Sequence, residues 1–418
     1  MNARGEGRLL SLDAYRGFVM LAMASAGLGL AKVAANLDDK AIRTRVDPSW
    51  WGTLIERLAT QVEHVEWVGC SFWDLIQPSF IFIVGVAMPF SLAARRAKGD
   101  SFGLVFRHTL VRSVVLIALG VFLASNGSKH TNWTFTNVLA QIGLGCPFVF
   151  LLVGRSFRTQ LVVAVVVLVG YWALFATWPL PGPDTDLSTA SVDPKRTQLL
   201  GFAAHWGKNV NVASDFDRWF LNLFPRPDGK PFVVNEGGYA TLNFVPSAMT
   251  MLFGVMAGQW LRSDQPRGRQ VLGLVVAGLV VFALGTVLDV RGICPAVKRI
   301  WTPSWTLYSA GWTCWLLALF VEVIEVRGWR RWAFPLVVVG TNSIVMYLMA
   351  QLLKPWVKAT LQRHLGTFLW WLNDRFQLNV PDEPFVGDWG PLIEASAVLF
   401  VFWLVCWSLH RRRIFIKV

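Results

Sequence analysis

Apolar stretches recur along the chain from one end to the other, separated by segments rich in charged residues, proline or tryptophan. Each stretch is roughly 20 residues long, which is enough for a helix to cross about 30 Å of hydrocarbon. The pattern predicts an all-α, polytopic integral membrane protein with about ten transmembrane helices in a single domain, 1–418. The predicted spans are 12–35, 73–94, 104–124, 133–153, 160–178, 241–261, 270–288, 304–325, 334–353 and 390–409.

The composition supports this class of protein. Hydrophobic residues make up 54% of the chain and charged residues 16%, whereas soluble domains carry about 25% charged residues. The net charge of +13 raises the question of a nucleic-acid partner. The basic residues cluster in short loops between apolar spans, a distribution that favours the lipid bilayer as partner and argues against nucleic acid.

Basic residues mark every second connection between the predicted spans. Positively charged loops stay in the cytoplasm, so both termini are expected there and the number of spans is expected to be even. The large loops at about 36–72, 179–240 and 354–389 are then expected on the opposite, periplasmic face. The basic loop residues are Arg4, Arg8, Arg95, Arg96, Lys98, Arg155, Arg158, Arg262, Arg267, Arg269, Arg327, Arg330, Arg331, Arg411, Arg412 and Arg413.

His64 lies in the first large loop, a few residues ahead of the second span, and Asp74 lies at the start of that span. Imidazole titrates near neutrality and serves as base, acid or nucleophile. The pattern predicts a reactive histidine at the periplasmic mouth of the span, with Asp74 close by. An interfacial histidine without a chemical role explains the same pattern equally well.

Polar residues inside the predicted spans are a second set of candidates, because a charged side chain at a helix centre costs roughly 2.5–3.5 kcal/mol. Asp13 and Arg16 share a helix face, so they either pair with each other or line a ligand path. Asn342 and Ser343 lie inside the ninth span. Asn342 either makes an interhelical hydrogen bond or has a functional role.

Motifs for several other kinds of site are absent from the sequence. There is no P-loop, no CxxC pair and no HExxH, so neither a soluble nucleotide domain nor a metal site is predicted. Cys70 and Cys294 both fall on the periplasmic face, where a disulfide is chemically permitted. Two free thiols are the favoured interpretation.

Two segments resemble a known family of membrane enzymes. The opening 8–17 (RLLSLDAYRG) resembles the R-x-x-S-[LV]-D-x-x-R-G start of the heparan-alpha-glucosaminide N-acetyltransferase family. The stretch 64–85 resembles that family's H-x-x-W-x-G-x-x-x-x-D-L-[IV]-x-P-x-F-x-F-I-x-G motif. Weaker matches follow in order, so the resemblance covers essentially the whole chain. These are 246–258 (PSAMTMLFGVMAG), 298–304 (KRIWTPS), 340–347 (GTNSIVMY) and 412–418 (RRIFIKV).

The resemblance implies a multi-pass acetyltransferase of the bacterial inner membrane. Such enzymes take the acetyl group of acetyl-CoA from the cytoplasm and pass it to the amino group of a glucosamine on the far side. His64 occupies the position of the family's catalytic histidine, as base or transient acyl carrier, and Asp74 is expected to orient its ring or line the site. The residues expected to bind the coenzyme A part of the donor are Arg8, Asp13, Arg16, Lys298, Asn342 and Ser343, although the loop of Lys298 is expected on the periplasmic face.

Departures from the family pattern leave the acceptor open. Thr53 stands where human-type members have asparagine, 238–241 (GYAT) replaces a common acidic run, and 139–142 (LAQI) differs from the usual fourth-span sequence. The carbohydrate acceptor therefore offers either an amine or a hydroxyl, and Trp206 and Asp217 are among the loop residues that suit a sugar. A transporter of a small or sugar-like solute is the alternative function. The oligomeric state, a homodimer included, stays open.

Overall fold

The computed structural model describes residues 9–44, 50–180, 182, 190–193, 197–226, 229–376 and 385–416. These residues form helices joined by turns, and the β structure among them is one isolated antiparallel bridge between Val68 and Val297. The helices are α1 (Leu10–Ser25), α2 (Leu30–Thr44), α3 (Trp50–Gln61), α4 (Ile76–Arg96), α5 (Phe102–Ala124), α6 (Val138–Leu152), α7 (Phe157–Ala176), α8 (Val212–Phe220), α9 (Phe244–Leu261), α10 (Arg267–Val290), α11 (Pro303–Val321), α12 (Phe334–Thr341), α13 (Ser343–Leu352), α14 (Lys354–Phe376) and α15 (Gly390–Arg411).

Eight helical segments in the described part of the chain are long and apolar enough to cross a membrane. A further apolar pair, α12 and α13, is bent by 69°, and the shorter apolar helix α6 stands at the position of the fourth predicted span. The structure therefore confirms an all-α polytopic membrane fold. With the bent pair taken as one span, up to nine segments of the described chain qualify, close to the predicted count of about ten. The eight segments are Leu10–Asp38, Trp73–Arg96, Phe102–Ala124, Phe157–Ala176, Thr241–Leu261, Arg267–Val290, Pro303–Val326 and Gly390–Arg411.

The fourth and ninth spans differ in detail from the prediction. The fourth begins at Val138 and not at 133, because Asn137 caps α6 by accepting a hydrogen bond from Ala140 N at 3.0 Å, as asparagine commonly does at helix starts. The ninth is broken at Asn342, whose backbone angles (φ −127°, ψ 41°) are not helical. A break inside a span frees backbone groups that must find partners within the protein.

Helices α4 and α9 form the centre of the bundle. In the most apolar 18 residues of their segments, 67% and 72% of the residues are buried, compared with 17% in α10 and in α15. Glycine permits the close approach of α4 and α9, because a side chain at Gly85 would meet the Met251 backbone and one at Gly254 would meet the Phe82 backbone. The outward-facing apolar surfaces of α10 and α15 are typical of helices in contact with lipid.

The connections predicted as large loops contain helices of their own. Loop 36–72 holds the end of α2 and all of α3, loop 179–240 holds α8, and loop 354–389 holds α14. Trp206 and Asp217, which the sequence offered as sugar-binding groups, are 0% and 2% exposed. Their side chains are therefore packed inside the protein and present no free surface to a sugar. All five cysteines are unbonded.

Candidate active site

One end of the bundle is built from two segments that are distant in sequence. The antiparallel bridge joins the segment before α4 to the segment before α11, and Gly69 N donates a hydrogen bond to Ala296 O at 3.0 Å. The bridge brings the 3-10 turn Trp73–Leu75 close to the 3-10 turn Lys298–Ile300. As a result, side chains 234 residues apart come into hydrogen-bond distance.

Asp74 is the centre of this cluster, and its side chain is 1% exposed. One carboxylate oxygen, Oδ1, lies 2.7 Å from His64 Nδ1 and 3.1 Å from Lys298 Nζ. The other, Oδ2, accepts hydrogen bonds from Ser71 N at 3.1 Å, Ser71 Oγ at 2.9 Å and Val65 N at 3.2 Å. Because a carboxylate only accepts and these groups can all donate, the surroundings favour the ionised form of Asp74.

His64 is held by Asp74 on one side and remains accessible on the other, with 38% of its side chain exposed. In the tautomer with its proton on Nδ1, the neutral ring donates to the ionised Asp74 carboxylate, which can only accept. The opposite ring nitrogen, Nε2, then carries a lone pair. A half-exposed imidazole in this tautomer can remove a proton or attack a carbonyl carbon.

Lys298 completes the cluster. It is 3% exposed, and its Nζ lies 3.0 Å from His64 Nδ1. Burial lowers the pKa of Lys298, and the charge of Asp74 opposes that shift. The structure thus places Lys298 with His64 and Asp74 and apart from the other residues expected to bind coenzyme A. Nowhere in the described chain do three or more His, Cys, Asp or Glu side chains form a group that could hold a metal ion.

Arg299, which was not among the predicted site residues, connects the cluster to the loop 179–240. Its two terminal nitrogens donate to Gly237 O at 2.7 Å and to Val65 O at 3.2 Å, and its guanidinium lies over the ring of Tyr239. Asn243 Nδ2 donates to Arg299 O at 2.7 Å. The sequence feature that could have pointed to Arg299 is its position next to Lys298 in the motif 298–304 (KRIWTPS).

A cavity of about 420 Å³ lies between the helices on the other side of the bundle. Two kinds of residue line it. Four basic side chains are Arg16, Arg95, His108 and Arg112, and the apolar lining includes Phe80, Val84, Leu116, Leu139 and Ile142. Three residues predicted to bind the donor, Asp13, Arg16 and Ser343, also line the cavity, and Asp13 pairs with Arg16 at 3.4 Å.

Arg95 stands among the basic loop residues that predict topology, and Arg112 was not among the predicted site residues. Arg112 lies inside an apolar span, and an ionisable residue there is itself a signal of function. It is roughly 15 Å along α5 from Phe102, at a rise of 1.5 Å per residue. The cavity therefore carries positive charge to about the middle of that span.

Helix α4 connects the cavity to the His64 cluster. From Arg95 to Phe80 the cavity follows one face of α4 for roughly 22 Å, and Asp74 lies roughly 9 Å beyond Phe80, at 1.5 Å per residue. The two candidate sites are thus at opposite ends of one helix, the Arg95 end and the His64 end. The distance between these ends, roughly 31 Å on the same scale, matches the hydrocarbon thickness of a bilayer.

Asn342 has a structural contact that accounts for its burial. Its Nδ2 donates to Ile414 O at 3.1 Å, and its Oδ1 accepts from Ile416 N at 3.0 Å. Both halves of the amide therefore hold the C-terminal tail, and Ile416 lines the cavity. Coenzyme A binding by Asn342 stays a prediction, as does binding by Arg8, which lies outside the described residues.

Comparison with known proteins gives two relatives of the same kind. The chain is 23% identical to the Homo sapiens heparan-alpha-glucosaminide N-acetyltransferase over 385 residues, which covers 82% of this chain and 52% of the relative. It is 22% identical to the Mus musculus protein of that name over 395 residues, covering 85% and 56%. No family model matches the chain. The chain spans about half the length of these relatives, and the matches confirm the resemblance predicted from its motifs.

Proposed function

We propose that the chain is a transmembrane acetyltransferase. It passes an acetyl group from acetyl-CoA, bound in the cavity at the Arg95 end, to an amino or hydroxyl group of a sugar at the His64 end. The observation that carries the proposal is the His64–Asp74 pair at 2.7 Å, set at the opposite end of α4 from a basic cavity that follows the same helix. The names of the two relatives support acetyl transfer as the chemistry and a glucosaminide as the class of acceptor.

The lining of the cavity suits both the phosphate groups and the uncharged arm of coenzyme A. Arginine binds phosphate through paired, charge-assisted hydrogen bonds, and Arg16, Arg95 and Arg112 supply three guanidinium groups. The apolar face formed by Phe80 and Val84 suits the uncharged arm of the donor. The arm's thioester is then directed along α4 towards Asp74 and His64.

His64 acts as the base in this proposal. Its Nε2 removes a proton from the acceptor amine or hydroxyl while that nitrogen or oxygen attacks the thioester carbonyl carbon, and the carbon–sulfur bond then breaks to release the coenzyme A thiolate. General base catalysis contributes about 10²–10⁴-fold to the rate. In the covalent version, Nε2 itself attacks the thioester, coenzyme A leaves, and the acceptor then takes the acetyl group from the imidazole.

The proposed orientation follows the basic loops. The Arg95 end faces the cytoplasm, where acetyl-CoA is found, and the His64 end faces the periplasm of a bacterial cell. A transporter would use the same helices as a path for solute, but it would have no need of an imidazole oriented by a buried carboxylate.

Donor binding and the role of His64 are tested separately. Acetyl-CoA should raise the thermal midpoint of the purified protein, since a ligand at 100 times its Kd adds about 2.7 kcal/mol of stability, whereas free sugars should not. His64→Ala should keep this stabilisation and lose transfer of radiolabelled acetyl to a glucosamine glycoside by about 10²-fold or more. His130→Ala removes an exposed histidine from another loop and should leave transfer unchanged.

Two results would contradict the proposal. Failure of acetyl-CoA to stabilise the protein more than free adenosine nucleotides would remove the donor site. Transfer by His64→Ala at the wild-type rate would return His64 to an interfacial residue. Acetyl label retained on wild type in the absence of a sugar, and absent from His64→Ala, would select the covalent version.

A further inference from the structure

Lys298 is a charged neighbour of His64 to which the chemistry above assigns no role. Its side chain is buried, and its Nζ lies at 3.1 Å from Asp74 Oδ1 and 3.0 Å from His64 Nδ1. Burying an ammonium group is costly unless it is well paired. Asp74 supplies that pairing for Lys298.

We infer that Lys298 is a positioning residue that keeps His64 unprotonated near neutral pH while Asp74 fixes its tautomer. The inference rests on the proposed function of His64 as base or acyl carrier. Both roles require a lone pair on Nε2, and protonation of the ring removes it.

Two charges of opposite sign act on His64 Nδ1 from similar distances. A carboxylate oxygen 2.7 Å from Nδ1 favours the positively charged imidazolium, and an ammonium nitrogen 3.0 Å from the same atom disfavours it. Because these distances are similar, the two effects largely offset each other. The Nδ1 proton still has an acceptor in Asp74 Oδ1, which Lys298 and His64 share. Asp74 can thus orient the ring without making it too readily protonated.

The backbone around Lys298 is held firmly enough to keep this geometry. Trp301, three residues on, has a φ of 48° although it is bulky and only 1% exposed. Such a conformation costs about 1–3 kcal/mol and persists where its surroundings impose it. Val297 N donates to Thr302 Oγ1 at 3.0 Å, and Trp301 Nε1 donates to Thr250 Oγ1 at 3.3 Å. These contacts fix the turn on both sides of Lys298.

Few other groups lie at the buried edge of the ring. Arg299 donates to the Val65 carbonyl. Burial raises the pKa of the Cys70 thiol to about 12 and also raises that of Tyr239, so both are neutral near pH 7. Glu63 and Glu66, on the same segment as His64, are exposed. The pair formed by Asp74 and Lys298 therefore dominates the charge at the buried edge of the ring.

The test reads the protonation of His64 directly, without requiring acetyl transfer. Diethyl pyrocarbonate acylates unprotonated imidazole, and mass spectrometry of the His64 peptide gives its rate of modification as a function of pH. Lys298→Met should move the midpoint for His64 to higher pH by at least about one unit, because charges within 4–6 Å shift titrations by about 1–3 units. Lys298→Arg keeps the cation and should stay near wild type.

Controls come from the same chain. Lys230→Met removes an exposed cation from another loop and should leave the midpoint for His64 unchanged. His130, exposed and in the same digest, should titrate identically in every variant. The acid limb of the pH–rate profile for transfer should move together with the His64 midpoint. If wild type transfers acetyl and the His64 midpoint in Lys298→Met equals that of wild type, the inference is overturned and the proposed function stands.

One further outcome also decides against the inference. If Lys298→Met weakens stabilisation by acetyl-CoA and leaves the midpoint unmoved, Lys298 binds the donor, as its motif suggested. If Lys298→Met does not fold, Lys298→Gln replaces it, because the amide removes the charge and keeps a donor for Asp74. Lys298→Gln should also titrate at higher pH than wild type, and an equal midpoint would overturn the inference. If wild type transfers no acetyl to any acceptor, the proposed function fails while these midpoints still report on Lys298.

Discussion

Replacing Arg112 by methionine tests the donor cavity at its deepest positive charge. Arg112 lies near the middle of α5, where it lines the cavity together with Arg16 and Arg95. Loss of one hydrogen bond to a charged group costs about 1.5–3 kcal/mol, which corresponds to about 10- to 150-fold weaker binding of acetyl-CoA. An apolar side chain is also cheaper than arginine inside a span, by about 2.5–3.5 kcal/mol on the insertion scale. Arg112→Met should therefore bind the donor poorly without a loss of stability in its absence.

Titration calorimetry in detergent measures the affinity, and a thermal scan without ligand measures the stability. Arg107→Met is the matched control, because Arg107 lies on the same helix and does not line the cavity. It should bind acetyl-CoA like wild type. Equal affinity in Arg112→Met and wild type would refute the assignment of the cavity to the donor. Equal losses in both variants would point to a general effect of charge on α5.

Three further predictions concern residues that support the two sites. Ser71→Ala removes one of the three hydrogen bonds to Asp74 Oδ2; a hydrogen bond to a charged group is worth about 1.5–3 kcal/mol, so transfer should fall about 10- to 150-fold while acetyl-CoA titrations stay unchanged. Asn342→Ala removes both hydrogen bonds to the C-terminal tail; at about 1 kcal/mol each, the thermal midpoint should fall and limited proteolysis should cleave the tail faster. Burial raises the pKa of Asp217 to about 6, so the folded state binds a proton that the unfolded state has released. Wild type should therefore gain stability relative to Asp217→Asn as the pH falls from about 7 to 4, and parallel midpoints over that range would disprove the argument.

The membrane fold could be predicted from sequence because the bilayer imposes a length on each span. Helices such as α4, α9 and α10 appear in the sequence as long apolar runs, and their ends agree with the prediction to within a few residues. The break at Asn342 could not be located in this way, since an apolar run has the same composition whether its helix is straight or bent. Only the polar pair at 342–343 hinted at it.

The candidate site was predictable where its residues lie close together in sequence. His64 and Asp74 are 10 residues apart, and both stood out at the start of a span. Lys298 could not be placed beside them, because its contact depends on a single backbone bridge between distant segments. Arg112 was missed for a different reason: counting charges in loops predicts topology and gives no weight to a charge inside a span.

Sided transfer across a sealed membrane tests the central claim most directly. The protein is reconstituted into vesicles that contain radiolabelled acetyl-CoA, and a membrane-impermeant glucosamine glycoside is added outside. Molecules with the Arg95 end inwards should acetylate the external sugar while the donor remains enclosed, and His64→Ala vesicles should not. Labelled sugar that forms only when donor and acceptor share one compartment would contradict transmembrane transfer.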